Sequence, residues 1–281
     1  MIGALLWRTT VARADVAQPV SVLARYSSKR VTKPRVSAAK KVLKCLLGTL
    51  EEGPSYSPES ERRFDEIYGE LLDTAENGAG GKDASRAQAA KKAKFNLFSD
   101  ASFASCAVTL RSTSGAILYY RGTPILWRTA KQSVRAYSTS EAEYVAASDA
   151  LVATQAIGFS SFFEPLQSAA GETGAHSDNC PVWVDSQSAI SVAKTPEVRP
   201  RSRHYALRLH RVRDEHRRIF FVPTHLKKAD ALTKTALLPS QRELVLHNTR
   251  NPPTAPQKQP GSTEDDEPAS VFLCRAALPA L

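Results

Sequence analysis

Residues 181–194, PVWVDSQSAISVAK, run from an apolar strand of the fully buried kind into a short helix, with Asp185 at the junction. Pro196 ends the helix. An acid at the carboxyl end of a buried strand stands at the edge where open α/β sheets place their sites. Three other segments repeat the design. FNLFSDAS (95–102) reads as a strand ending near Asp100, YSTSEAEYVAA (137–147) as a helix start with Glu143 one turn in, and THLKKADALTK (224–234) as a last helix beginning at Asp230.

Between these segments, GAILYYRG and PILWRTA are two more strands, separated by the turn-forming Gly122 and Pro124. A helix is expected from about Thr139 to Phe163, another over SRHYALRLHRVRDEHRR, and a last strand at RIFFVPT. Three strands followed by alternating helix and strand make an α/β domain with a mixed five-stranded sheet flanked by helices, here spanning 95–246. Residues 1–60 read as a small helical segment: Asp15 is placed to cap VAQPVSVLARY, and VSAAKKVLKCLLGTL carries Val42, Cys45 and Leu46 at helical spacing before Gly48. Residues 61–94 read as a linker, with one short acidic helix (FDEIYGELLDTA) before a Gly-, Ser- and Lys-rich run. Residues 247–281 are rich in Pro, Gln and acids and read as disordered.

The net charge of +10 over 281 residues favours a polyanionic partner. Cys45, Cys106, Cys180 and Cys274 are scattered without a C-x-x-C pair, which argues against a zinc site and a disulfide scaffold and favours a reducing compartment. His176 and Cys180 read as an exposed imidazole and a small buried thiol. No apolar run approaches the roughly 20 residues needed to span a bilayer.

Bringing Asp100, Glu143, Asp185 and Asp230 together is costly unless they hold divalent cations, and two such cations about 4 Å apart cleave phosphodiesters. Neighbouring parallel strands are about 4.8 Å apart, close enough for Asp100 and Asp185 to share an ion. Ala147, Ala150 and Thr154 give the Glu143 helix a small face that lets it lie close to the sheet. Glu141 has a different task, since Ser138-x-x-Glu141 is a capping box. Asp230 suits a helix start on dipole grounds. Taken singly, each acid is as well read as a solvated carboxylate, a cap or a turn former; the conjunction carries the argument.

The stretch 199–218 holds eight Arg against Asp214 and Glu215, so Arg201, Arg203, His204 and Arg208 are candidates for following a phosphate backbone, or for a solvated basic helix face. Lys131, Gln132 and Ser133 precede the Glu143 helix, and Ser186 and Gln187 follow Asp185, where sugar-phosphate contacts are expected. His225, five residues before Asp230, is a candidate for proton transfer or product release, or simply an exposed turn residue.

These segments resemble the C-terminal part of the Pol polyprotein of copia-type LTR retrotransposons. WRTAKQSVRAYSTSEAEYVA (127–146) is similar to W-K-S-K-K-Q-x-V-x-A-x-S-S-T-E-A-E-Y, and VDSQSAISVAKTP (184–196) to C-D-N-Q-S-A-I-x-L-A-x-N-P. RSRHYALRLHRVRD (201–214) resembles R-T-K-H-I-x-x-R-x-H-x-x-R-E, and VPTHLKKADALTK (222–234) resembles V-P-T-x-x-Q-x-A-D-x-x-T-K. Upstream, GALLWRTTVARADVAQPVSVLARYSSK (3–29) and AAKKVLKCLLGTLEEG (38–53) resemble the thumb-like end of reverse transcriptase. Ala14 stands at a usual Pro, Pro19 at a usual Ala inside a helix, and Phe103 at a usual Trp.

The resemblance implies a ribonuclease H-like domain that cuts the RNA strand of RNA–DNA hybrids with two Mg²⁺ (or Mn²⁺) ions held by Asp100, Glu143, Asp185 and Asp230. It also implies a monomer with no membrane association, whose polymerase partner is an intact reverse transcriptase supplied elsewhere. Two other readings stay open: a catalytically silent remnant that only binds nucleic acid, and an organellar protein using the domain structurally. For the last, residues 1–30 hold Arg8, Arg13, Arg25 and Arg30 against the single acid Asp15, as a mitochondrial leader does. A cytoplasmic or nuclear location is otherwise expected.

Overall fold

A computed structural model of the chain describes residues 1–27, 31–54, 56–77, 81–156, 180–194, 206–215, 218–235, 242 and 245–246. At its centre five strands, β1 (Phe95–Ser102), β2 (Thr113–Tyr120), β3 (Thr123–Lys131), β4 (Val182–Val184) and β5 (Ile219–Phe221), form one sheet in the order β3-β2-β1-β4-β5. β1 and β3 run antiparallel to β2, while β4 is parallel to both β1 and β5. The result is an open mixed α/β sheet flanked by helices, consistent with the ribonuclease H-like fold expected above. Arg121 and Gly122 close the β2–β3 hairpin with both φ angles positive (47° and 75°), the conformation a tight two-residue turn demands.

Period-two alternation sends successive residues of each strand to opposite faces. Phe95, Leu97, Leu118, Val182, Val184 and Ile219 line one face. It is covered by Tyr144, Ala147, Ala150 and Leu151 of the helix Thr139–Ala156 and by the helices Gln187–Lys194 and Ala206–Asp214. Phe98, Ile117, Tyr119, Trp183 and Phe220 line the other.

That second face corrects the linker reading of 61–94. Those residues carry the long helix Pro58–Asn77 and the helix Gly81–Lys91. Phe64, Tyr68 and Leu72, spaced four apart, form a single buried stripe, joined by Ala87 and Ala90. The Phe64 ring lies 5.4 Å from Tyr119, and Tyr68 lies 5.1 Å from Phe98 and 5.4 Å from Trp183. The polar residues of this stretch are the solvent side of an amphipathic helix.

The N-terminal residues form three helices, Ile2–Val11, Ala17–Ala24 and Lys33–Leu47, around Leu5, Val20, Leu23, Ala38 and Val42. Pro19 lies in the first turn of its helix, where its missing N–H had no partner to lose, so the interior penalty does not arise. Asp15 makes no cap; it accepts from Arg13 at 2.9 and 2.7 Å in a buried pair, and Arg13 also reaches Thr49. Trp127 and Thr129 of β3 bond Thr9 and Gln18, tying these helices to the sheet.

The last helix, expected to begin at Asp230, does not start there: residues 224–232 form two short 3-10 turns, Thr224–Leu226 and Lys228–Leu232, joined by an extended Lys227. The tail 247–281 and the segment 201–205, with Arg201, Arg203 and His204, lie outside the described residues.

Candidate metal centre at the end of the sheet

Register places the first two acids. Phe98 pairs with Trp183 across the parallel strands β1 and β4. Two residues further on, Asp100 and Asp185 therefore stand side by side on the same face. β1 continues to Ser102 because β2 still pairs with it after β4 has stopped, with Asp100 opposite Gly115. Gly115 is required there. A Cβ would come within 2.9 Å of Leu232 Cβ and Thr233 Cγ2 and 3.0 Å of the Ala229 carbonyl. The bare backbone lets the 228–233 segment close over Asp100, where the Thr233 hydroxyl donates to its carboxylate.

Glu143 comes from the opposite layer. Its helix starts with half of the expected capping box: the Glu141 amide donates to Ser138 Oγ at 3.1 Å, whereas Glu141 Oε2 accepts at 2.9 Å from the Tyr137 amide, one residue before the cap's own. Gln132, expected to face a ligand, is buried instead, donating to Ser114 Oγ at 3.0 Å and the Ala142 carbonyl at 2.9 Å. It clamps the helix start to the sheet and so aims Glu143. Asp100, Glu143 and Asp185 each offer a carboxylate oxygen, all within 4.8 Å of one another.

Asp230 is not in that group. Its carboxylate pairs with Lys234 at 2.7 Å, and burial raises its pKa, with Asp100 adding to the rise against Lys234 and Lys227. Lys227, which sequence reasoning did not single out, lies among the other three acids. Its Nζ donates to Asp100 and, at 2.5 Å, to Asp185, and sits 3.6 Å from Glu143. The residue was legible as a departure, since the pattern V-P-T-x-x-Q-x-A-D carries Gln at this position.

Burial pushes the Glu143 carboxyl up to about 8; Lys227 and the Ala101 amide oppose the rise while Asp100 and Asp185 add to it. Burial pulls the Lys227 ammonium down, but the three acids together outweigh it and hold the group above its ordinary value. Glu143 Oε2 is buried without a hydrogen-bond partner.

Around the centre, Ser186 caps the helix Gln187–Lys194 through the Ala189 amide at 3.2 Å and bonds Ser188, while Gln187 is exposed. Ser133 is exposed and accepts from Arg208 at 3.2 Å, and Arg208 also stands 3.9 Å from Asp149. Lys131 closes β3, half-buried, and His225 is exposed in its turn.

Over 237 residues, 83% of its length, the chain is 26% identical to the retrovirus-related Pol polyprotein from transposon TNT 1-94 of Nicotiana tabacum. Two of its relatives are retrovirus-related Pol polyproteins of plant transposons. A second, from transposon RE2 of Arabidopsis thaliana, is 31% identical over 144 residues, 50% of the chain. The chain spans 15% and 9% of these two polyproteins. It is also 28% identical over 149 residues (53% of the chain) to secreted RxLR effector protein 161 of Plasmopara viticola, of which it covers 82%. No protein-family profile matches the chain, and no solved structure matches it.

Proposed function

We propose that the chain is the ribonuclease H-like part of a retrotransposon Pol polyprotein, hydrolysing the RNA strand of RNA–DNA hybrids with Mg²⁺ or Mn²⁺. One observation carries the reading: carboxylates from β1, β4 and the Glu143 helix converge within 4.8 Å at one end of an α/β sheet. The donors suit the ion. All are hard oxygens, the type such cations select. Three acids face a single ammonium, and the buried Glu143 Oε2 is an acceptor left without a donor.

Asp100, Glu143 and Asp185 would hold the ion, with Asp230, whose charge is felt at Asp100, the further acid for a second. When bound, such an ion supplies Lewis-acid polarisation of a phosphodiester and of the attacking water. The chain's own residues set the geometry. Thr233 orients Asp100, and Gln132 together with Ser138 and Glu141 holds the start of the helix that delivers Glu143. Ser133 and Gln187 are exposed and Arg208 is partly exposed, which leaves them available to a hybrid's backbone.

Cleavage of an end-labelled RNA–DNA hybrid by the full chain in Mg²⁺ or Mn²⁺ tests this. The wild type is expected to cut and a folded Asp185→Asn variant to lose the activity; undiminished cleavage by the variant contradicts the assignment. A second reading, a silent module that binds hybrid without cutting it, is favoured by Lys227 standing among the acids. Binding without cleavage by the wild type in either metal would support it.

A further inference from the structure

The Lys227 side chain is wholly buried, at 0% exposure, and its Nζ approaches every member of the acid triad. The backbone puts it there. Lys227 is the one extended residue between two 3-10 turns. The turn before it is pinned by the Tyr68 hydroxyl, which donates to the Leu226 carbonyl at 2.8 Å. The turn after it is pinned by the gap over Gly115 that receives Leu232 and Thr233.

An ammonium and a divalent cation cannot use the same carboxylate oxygens at once, because like charges a few ångströms apart in a buried site repel strongly. Given that Asp100, Glu143 and Asp185 form the cation site proposed above, we infer that Lys227 is a tethered counter-cation. It competes with the divalent ion for those acids and keeps the site closed until its ammonium leaves. Closure is incomplete in one respect. Lys227 bonds Asp100 and Asp185, but leaves Glu143 Oε2 without a partner. One positive charge also faces three carboxyl groups, so a divalent ion retains something to gain. The neutral Gln of the pattern V-P-T-x-x-Q-x-A-D cannot act in this way.

The test is direct Mn²⁺ binding, followed by the paramagnetic resonance of the free ion, with the full chain as wild type, Lys227→Gln and Lys227→Met. Melting of each protein in EDTA and in Mn²⁺ accompanies it. Both variants are expected to bind Mn²⁺ at least about tenfold more tightly than the wild type. In EDTA they are expected to melt below the wild type, and added Mn²⁺ is expected to close the gap. Equal or weaker Mn²⁺ binding by the variants overturns the tethered cation while leaving the acid site standing. No bound Mn²⁺ in any of the three proteins overturns both.

Discussion

Asp100 and Asp185 are neighbours because Phe98 and Trp183 are: the parallel register that pairs the two aromatic residues, whose rings stack 6.0 Å apart, sets the two acids abreast two residues later. Packing and chemistry thus share one ladder. If the two acids act as a unit, Asp100→Asn and Asp185→Asn should each lower hybrid cleavage at least about 100-fold, and the double variant should be no worse than either. Cleavage rates of the three proteins check this, and additive losses would mean independent roles.

The two glutamates of Ser-Glu-Ala-Glu separate by task. Glu141 serves the helix cap and Glu143 the centre. Glu141→Ala should cost about 1 kcal/mol in denaturant unfolding while hybrid cleavage persists. Glu143→Gln should abolish cleavage without a comparable loss of stability, since it removes a buried carboxylate from a crowded cluster.

Gly115→Ala tests the close approach over Asp100. The added methyl meets the Leu232 Cβ, the Thr233 methyl and the Ala229 carbonyl, none of them the far end of a long flexible side chain. A destabilisation of about 1–3 kcal/mol is expected in urea unfolding. Hybrid cleavage should fall as well, because the segment bearing Thr233 must shift away from Asp100.

Phe64→Ala should cost about 3–5 kcal/mol. Phe64 is fully buried between Tyr68, Phe98 and Tyr119, so thermal or urea unfolding of the variant separates a core helix from a linker. A loss below about 1 kcal/mol would restore the linker reading.

Thiol reactivity offers a test away from the centre. Burial pushes the Cys180 thiol up to about 12, whereas the polar groups of neighbouring Thr109 lower that of Cys106, which is only partly buried. Brief alkylation of the native protein, read by peptide mass, should label Cys106 well before Cys180. Labelling of both at equal rates would contradict the packing of β4.

Much of this was legible in the sequence because the acids sit at element ends, where punctuation is strong. Asp185 between PVWV and SAISVAK, and Ser138-x-x-Glu141 before Glu143, are local signals; the structure realises the first and, of the second, the Ser138 bond, with Glu141 reaching the Tyr137 amide instead of the cap's own. The helix Pro58–Asn77 reads in the sequence only as a short acidic helix of a linker, because its apolar stripe of Phe64, Tyr68 and Leu72 is diluted by many charged residues and followed by a glycine run. At Lys228–Leu232 the Ala, Leu and Lys residues carry helical propensity and point to a helix, but packing against the sheet holds them in a 3-10 turn. The paired role of Lys227 depends on three contacts distant in sequence, which no local pattern encodes; only its place at a usual Gln marked it.

The most direct measurement is anomalous X-ray scattering from crystals of the protein grown with saturating Mn²⁺. A peak bounded by the carboxylates of Asp100, Glu143 and Asp185, with the Lys227 ammonium displaced, is the result expected. Density showing Lys227 still bonded to Asp100 and Asp185, with no manganese between the three acids, would contradict the claim that they form a divalent-cation centre.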